Sequence, residues 1–192
     1  MVTLQTERRR PVWEAMSDLF LDTETRWSLG HCARVCAASG YDDATLDRIF
    51  WLEVFPEAIS NLRSVAGEWA GLALGDLPLT APEDAAAGPS LQRRLHGGLV
   101  EPSWRVTSAL TQWLRPLDDA QRDTCVRAWS LFAHLLFQPV PLDGPWLETR
   151  DALRPVLPYE WARYRPLALT LAQGDEDLEG AAQKLEALIA RR

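Results

Sequence analysis

Apolar residues recur every three or four positions along most of this chain, and prolines and glycines fall at the junctions between those runs. Such spacing puts one stripe of side chains on one face of an α-helix, whereas a half-buried strand needs alternation with period two. No stretch alternates long enough to predict a strand. The chain therefore reads as all-α: a compact multi-helix bundle whose two helical halves are joined by a Pro/Gly-rich loop.

The helices can be placed by their start and stop signals. Pro11 marks a first turn, with Val12, Trp13, Met16, Leu19 and Phe20 following at helical spacing. Thr23 is placed to cap a second helix carrying Trp27, Leu29, Cys32, Val35 and Cys36, and Ser39-Gly40 ends it. Asp42 or Asp43 caps a third that runs to Phe55. Pro56 then opens a fourth, with Ile59, Leu62, Val65, Ala66 and Trp69 on one stripe. These four make an N-terminal half, residues 1–74. Residues 75–90, GDLPLTAPEDAAAGPS, carry three prolines and two glycines, the composition of a loop or linker. The C-terminal half, residues 91–192, starts with one short helix from Ser90 to Gly97-Gly98 and another from Pro102 to Leu114. A long apolar helix follows from Asp118 or Asp119 to Gln138, with Cys125, Val126, Trp129, Phe132, Ala133 and Leu136 on its stripe. Shorter helices are expected over 146–153, 158–172 and 175–190, and the two halves are expected to share one globular domain.

Charge narrows the range of partners. The formal net charge is −7, and residues 1–80 hold twelve acids against seven bases, while residues 81–192 hold fifteen against thirteen. An acidic field repels a phosphate backbone, so nucleic acid is not expected as a ligand and a basic protein is compatible. No run reaches the ~20 apolar residues that a membrane-spanning helix needs. Residues 1–10 are polar and then basic, with no apolar segment of signal-peptide type behind them, so the expected compartment is the cytoplasm.

Catalytic and metal constellations are thin. Cys32 and Cys36 lie one helical turn apart beside His31, but zinc takes four ligands, and His96 and His134 have no ligand-type neighbours at metal-binding spacing. The pair is read as buried structural thiols. Cys125 and His134 are nine residues apart, roughly 13 Å along a helix, too far for a nucleophile and its base. Nucleotide-binding, nucleophile-elbow and zinc-protease motifs do not occur, and Lys184 is the only lysine. No cofactor, no metal and no catalytic residue is expected.

Glu53 is the most informative charge. Leu46, Ile49 and Phe50 define the apolar face of the third helix, and Glu53 falls on the same arc. A carboxylate there needs an ion pair or hydrogen bonds, or it must take up a proton. Arg26, Arg34 and Arg63 are the expected partners. Glu57, Asn61, Ser64 and Glu68 lie opposite the stripe of the fourth helix, as a solvated face or a polar contact surface.

The segments RRPVWEAMSDLFLDTE (9–24), SGYDDATLDRIFWLEVFPEAISNL (39–62) and SVAGEW (64–69) resemble a family of small bacterial proteins known as a domain of unknown function. The shared pattern is W-x-A-x-S-x-L-F-L-D-T-E, then S-G-Y, an E-V before a proline, N-L, and A-G-E-W. Phe55 stands between the E-V and the proline. The resemblance covers the first 70 or so residues; the family brings no established activity, so the resemblance carries a fold expectation and transfers no catalytic residue.

Small, acidic, all-helical chains of this kind are also similar in style, not in motif, to immunity proteins that neutralise antibacterial toxins. The expected function is thus non-catalytic: direct binding of a protein partner, most concretely a secreted toxin with a basic surface. The alternatives are a regulatory or scaffold adaptor and, further off, an enzyme. Asp22, Glu24, Asp42, Asp43 and Asp47 are the expected contact residues, although all but Asp47 also stand where helix caps and first-turn charges belong.

Overall fold

The computed structural model describes residues 4–20, 26–62, 91–137, 150–151 and 157–172, with single helical positions at 180, 183 and 187. Among them are seven α-helices, a 3-10 turn, a π-helical segment and no strand. The helices are α1 (Leu4–Ser17), α2 (Arg26–Ala38), α3 (Asp43–Arg48), α4 (Phe55–Leu62), α5 (Leu91–Leu114), α6 (Asp119–Phe137) and α7 (Leu157–Ala172). The 3-10 turn Asp18–Phe20 follows α1, and the π segment Ile49–Val54 joins α3 to α4. No described helix is long and apolar enough to cross a membrane. The all-α expectation holds; several boundaries differ, and prolines explain most of the differences.

Proline breaks fewer helices here than its position in the sequence predicts. Pro11 lies inside α1, which begins at Leu4, and its ring faces solvent. The two short helices expected over 90–97 and 102–114 are one, α5, with Pro102 in its interior. A proline ring clashes with the carbonyl four residues back and leaves it without a donor. For Pro102 that residue is Gly98, which is exposed with open space where a Cβ would stand, so the backbone can yield and water can reach it.

The third junction is solved differently. Asp43 to Leu62 form a continuous helical run, not two helices meeting at Pro56. The chain widens to π-type hydrogen bonding over Ile49–Val54, and the Phe55 N–H donates to the Phe50 carbonyl, five residues back. This wider turn next to Pro56 loosens the register that the proline would otherwise oppose. It also brings Ile49, Phe50, Trp51, Glu53 and Val54 all into the interior.

Two compact units divide the chain, Met1–Arg115 and Pro116–Arg192. The sequence expectation separated residues 1–74 from 91–192, but α5 packs along α2 and so belongs with the first unit. The expected loop, 75–90, lies outside the described residues. The α2 face that meets the core offers Gly30, Cys32, Ala33, Cys36 and Ala37, all small and buried, and small side chains let helix axes approach closely. From α5 come Val106, Leu110 and Leu114, with Thr107 and Thr111 buried among them. Those two hydroxyls donate to the carbonyls of Ser103 and Thr107 one turn back, at 2.9 and 2.8 Å, so neither is stranded. Gly40, at φ +76°, provides the left-handed residue that lets the chain leave α2, as its position after Ser39 predicts.

In the second unit, Asp118 and Gln121 cap α6 reciprocally. The Gln121 N–H donates to Asp118 Oδ1 at 2.8 Å, and the Asp118 N–H donates to Gln121 Oε1 at 3.1 Å. Its apolar face, Cys125, Ala128, Trp129, Phe132, Ala133, Leu135 and Leu136, is buried, and α7 packs on α6 through Tyr164, Leu167 and Ala168. The helices expected over 146–153 and 175–190 fall almost wholly outside the described residues.

Leu110 is fully buried in α5. Leu110→Ala is expected to lower unfolding free energy by about 2–5 kcal/mol, through lost transfer energy and the cavity left behind. Urea unfolding of the two proteins measures it.

Candidate functional site

Glu53 is 4% exposed, and its carboxylate is matched on both oxygens. Oε1 forms an ion pair with the Arg9 guanidinium, and Oε2 accepts a hydrogen bond from Trp13 Nε1 at 2.7 Å. Arg9 and Trp13 are one turn apart on α1, which is why one helix face presents both donors together. The expectation of a buried, paired carboxylate is met, with a different partner. Arg9 takes the place proposed for Arg26, Arg34 or Arg63, because α1 lies against the π segment. The Arg9 side chain keeps 20% of its surface exposed, so the pair reaches the edge of the core.

The π segment that carries Glu53 also carries part of an aromatic cluster. Phe50 stacks on Trp104 of α5, with ring centroids 4.2 Å apart and planes within 4°. Trp51 meets Phe50 edge-on at 4.8 Å, and Phe20 stacks on Phe50 at 5.7 Å. Three elements of the first unit, the 3-10 turn, the π segment and α5, are joined by these rings.

The expected acidic residues take distinct roles. Asp22 and Glu24 lie outside the described residues. Asp42 is the N-cap of α3, accepting from the Thr45 N–H at 2.7 Å. Asp43 pairs with Arg115 at 2.8 Å and accepts from Gln112 Nε2 at 3.0 Å. Asp47 accepts from Trp104 Nε1 at 2.7 Å. Asp43 and Asp47, one turn apart, therefore both face α5, while Asp42 and Asp47 stay exposed.

Between α3, the π segment and α5 lies an open groove of about 350 Å³. Trp51 and Trp104 line it together with Asp47, Glu101, Arg105 and Gln112. Of these, only Asp47 was among the expected contact residues. Sequence reading has no access to Trp104 or Glu101 as partners of α3, since they lie more than fifty residues away along the chain. Arg9 did leave a signal: it precedes Trp13 by one turn.

The cysteines are free thiols, and all three are buried. Burial first, and then the Cys36 thiol beside it, push the Cys32 thiol well above its usual range, so it stays protonated. No group of three or more metal-ligating side chains occurs among the described residues.

Residues 7–115 match a family described as a domain of unknown function (DUF7079). This chain belongs to that family. The match ends at the same residue as the first compact unit, so the family domain is the unit that holds Glu53 and the groove. Neither a curated protein nor a solved structure matches the chain.

Glu53→Gln would turn an amide N–H₂ toward one of two donors while Arg9 keeps its charge. The expected loss is about 3 kcal/mol of stability, the low end for breaking a buried pair, because Arg9 retains a path to water. Thermal melting beside the exposed control Glu14→Gln checks it.

Asp42 responds to pH. The Thr45 bond holds its carboxyl below the usual range, with Arg115 adding a smaller pull in the same direction. A depressed folded pKa stabilises the fold above the unfolded value, near ~3.9, and that contribution is lost as pH falls through the folded value. Asparagine caps a helix equally well but does not titrate. Asp42→Asn is expected to fold normally at neutral pH and to show a shallower acid limb in urea unfolding measured across pH.

Proposed function

We propose that this member of the family is a non-catalytic binding protein that neutralises a toxin domain with a basic surface by direct contact, in the manner of an immunity protein. The observation that carries this reading is the placement of acids beside the groove. Asp47 stands on its rim and Asp43 is tied to the rim residue Gln112, with Asp42 at the adjoining helix start. The acidic excess of residues 1–80 adds a long-range field of the same sign. Charges of this kind steer encounter with a basic partner, and rigid aromatic side chains are the usual anchors once it has docked.

Capping and ion pairing do not remove the acids from this role. Asp42 and Asp47 each spend one oxygen on an internal bond and remain exposed. Their internal bonds hold the carboxylates in place, which lowers the entropy lost on binding.

Each gene neighbouring this one should be expressed alone to find one that stops growth, and cells carrying such a gene should grow when the chain is co-expressed. A variant with Asp22, Glu24, Asp42, Asp43 and Asp47 changed to their amides, still helical by circular dichroism, should lose that protection and the salt dependence of its association rate. Full protection by the folded variant would move the interface elsewhere, and absence of toxicity from every neighbouring gene would remove the immunity reading.

A further inference from the structure

We propose that the groove between α3, the π segment and α5 is a binding site for one arginine side chain of a basic protein segment. The proposal deepens the reading above by naming what its acidic surface grips. The groove is two-sided in chemistry. Trp51 and Trp104 supply a narrow apolar corner, one indole edge-on to Phe50 and the other parallel to it, with about 5% of each residue exposed. Asp47 and Glu101 supply carboxylates on the same lining. An arginine divides in the same way, into an apolar stem that packs on aromatic surface and a planar cation that takes carboxylate oxygens in pairs.

The geometry of each carboxylate fits this use. Asp47 Oδ1 accepts from Trp104 Nε1, which holds the exposed carboxylate on the groove lining. Glu101 is bridged by Arg105 of its own helix at 3.0 Å, with both side chains more than half exposed. An exposed pair one turn apart on a helix is weak and screened by water, so a partner's guanidinium can replace Arg105 on Glu101. The internal pair is thus a stand-in for the ligand, and it already shows a guanidinium accepted at this carboxylate. With two acids and one base on the lining, the site carries a negative charge when Arg105 is counted. An anionic ligand would meet that charge unfavourably, and an uncharged one would leave it unused.

The test uses the full chain and two probe peptides, acetyl-Gly-Arg-Gly-amide and its citrulline counterpart, which has the same shape without the charge. In proton–nitrogen correlation spectra, the arginine peptide is expected to shift the indole N–H signals of Trp51 and Trp104, and the citrulline peptide to leave them in place. The double variant Asp47→Asn, Glu101→Gln should weaken arginine binding at least tenfold, with its spectrum otherwise folded. The control Glu7→Gln, Glu14→Gln removes the same charge from exposed positions outside the groove and should bind as the parent does. Equal shifts with citrulline, an equal loss in the control, or no indole shift at millimolar peptide would each overturn the proposal. If the groove binds arginine but its double variant still protects cells, the site stands and its link to toxin neutralisation fails. If protection is lost by the five-acid variant while the indoles never respond, the function stands and this site falls.

Discussion

A carboxylate inside an aromatic core organises the family domain of this protein. Glu53 can stay there only because α1 brings a cation and an indole N–H to its two oxygens. Left alone, the charge would cost several kcal/mol in desolvation, so the fold either docks α1 in this register or loses the site. Both partners come from one helix face, so the contact fixes the rotation of α1 as well as its position. Phe20, which follows α1 in the 3-10 turn, is brought by the same docking onto Phe50 and Phe55.

The π segment is the complementary device. Along Ile49–Val54, Glu53 and Trp51 both reach the interior while Phe50 stacks on Trp104. One irregular turn thus serves Pro56, the buried ion pair and the groove wall at once. Trp51 belongs to that lining and to the core cluster together, so the surface proposed for binding is backed by the aromatic core of the domain. A preorganised wall of this type loses little entropy when a partner docks. The Asp47–Trp104 bond has the same double character, joining α3 to α5 and setting a charge at the groove rim.

Helical class, the C-terminal end of α2, the start of α6 and the burial of Glu53 were legible in the chain, because each depends on residues within a turn or two of one another. The 3.6-residue stripe, the Ser39-Gly40 stop and the acid at the start of α6 are local signals with local causes. Proline junctions were less legible. A proline predicts a boundary unless something nearby absorbs the lost donor, and at Gly98 and in the π segment something does.

What the sequence by itself determined is therefore the helical class, the sign of the charge and the fact that Glu53 had to find a donor. Which donor it found, and which acids stand beside which indoles, only the tertiary structure decided. Arg9 reaches Glu53 across forty-four positions, and Trp104 reaches Asp47 across fifty-seven. Such pairings follow from how whole helix faces pack, with α5 laid along α2 and α1 set against the π segment. A helical stripe states which face turns inward, and several helices carry stripes that could meet in more than one order. Packing selects the order in which the Glu53 carboxylate is matched on both oxygens.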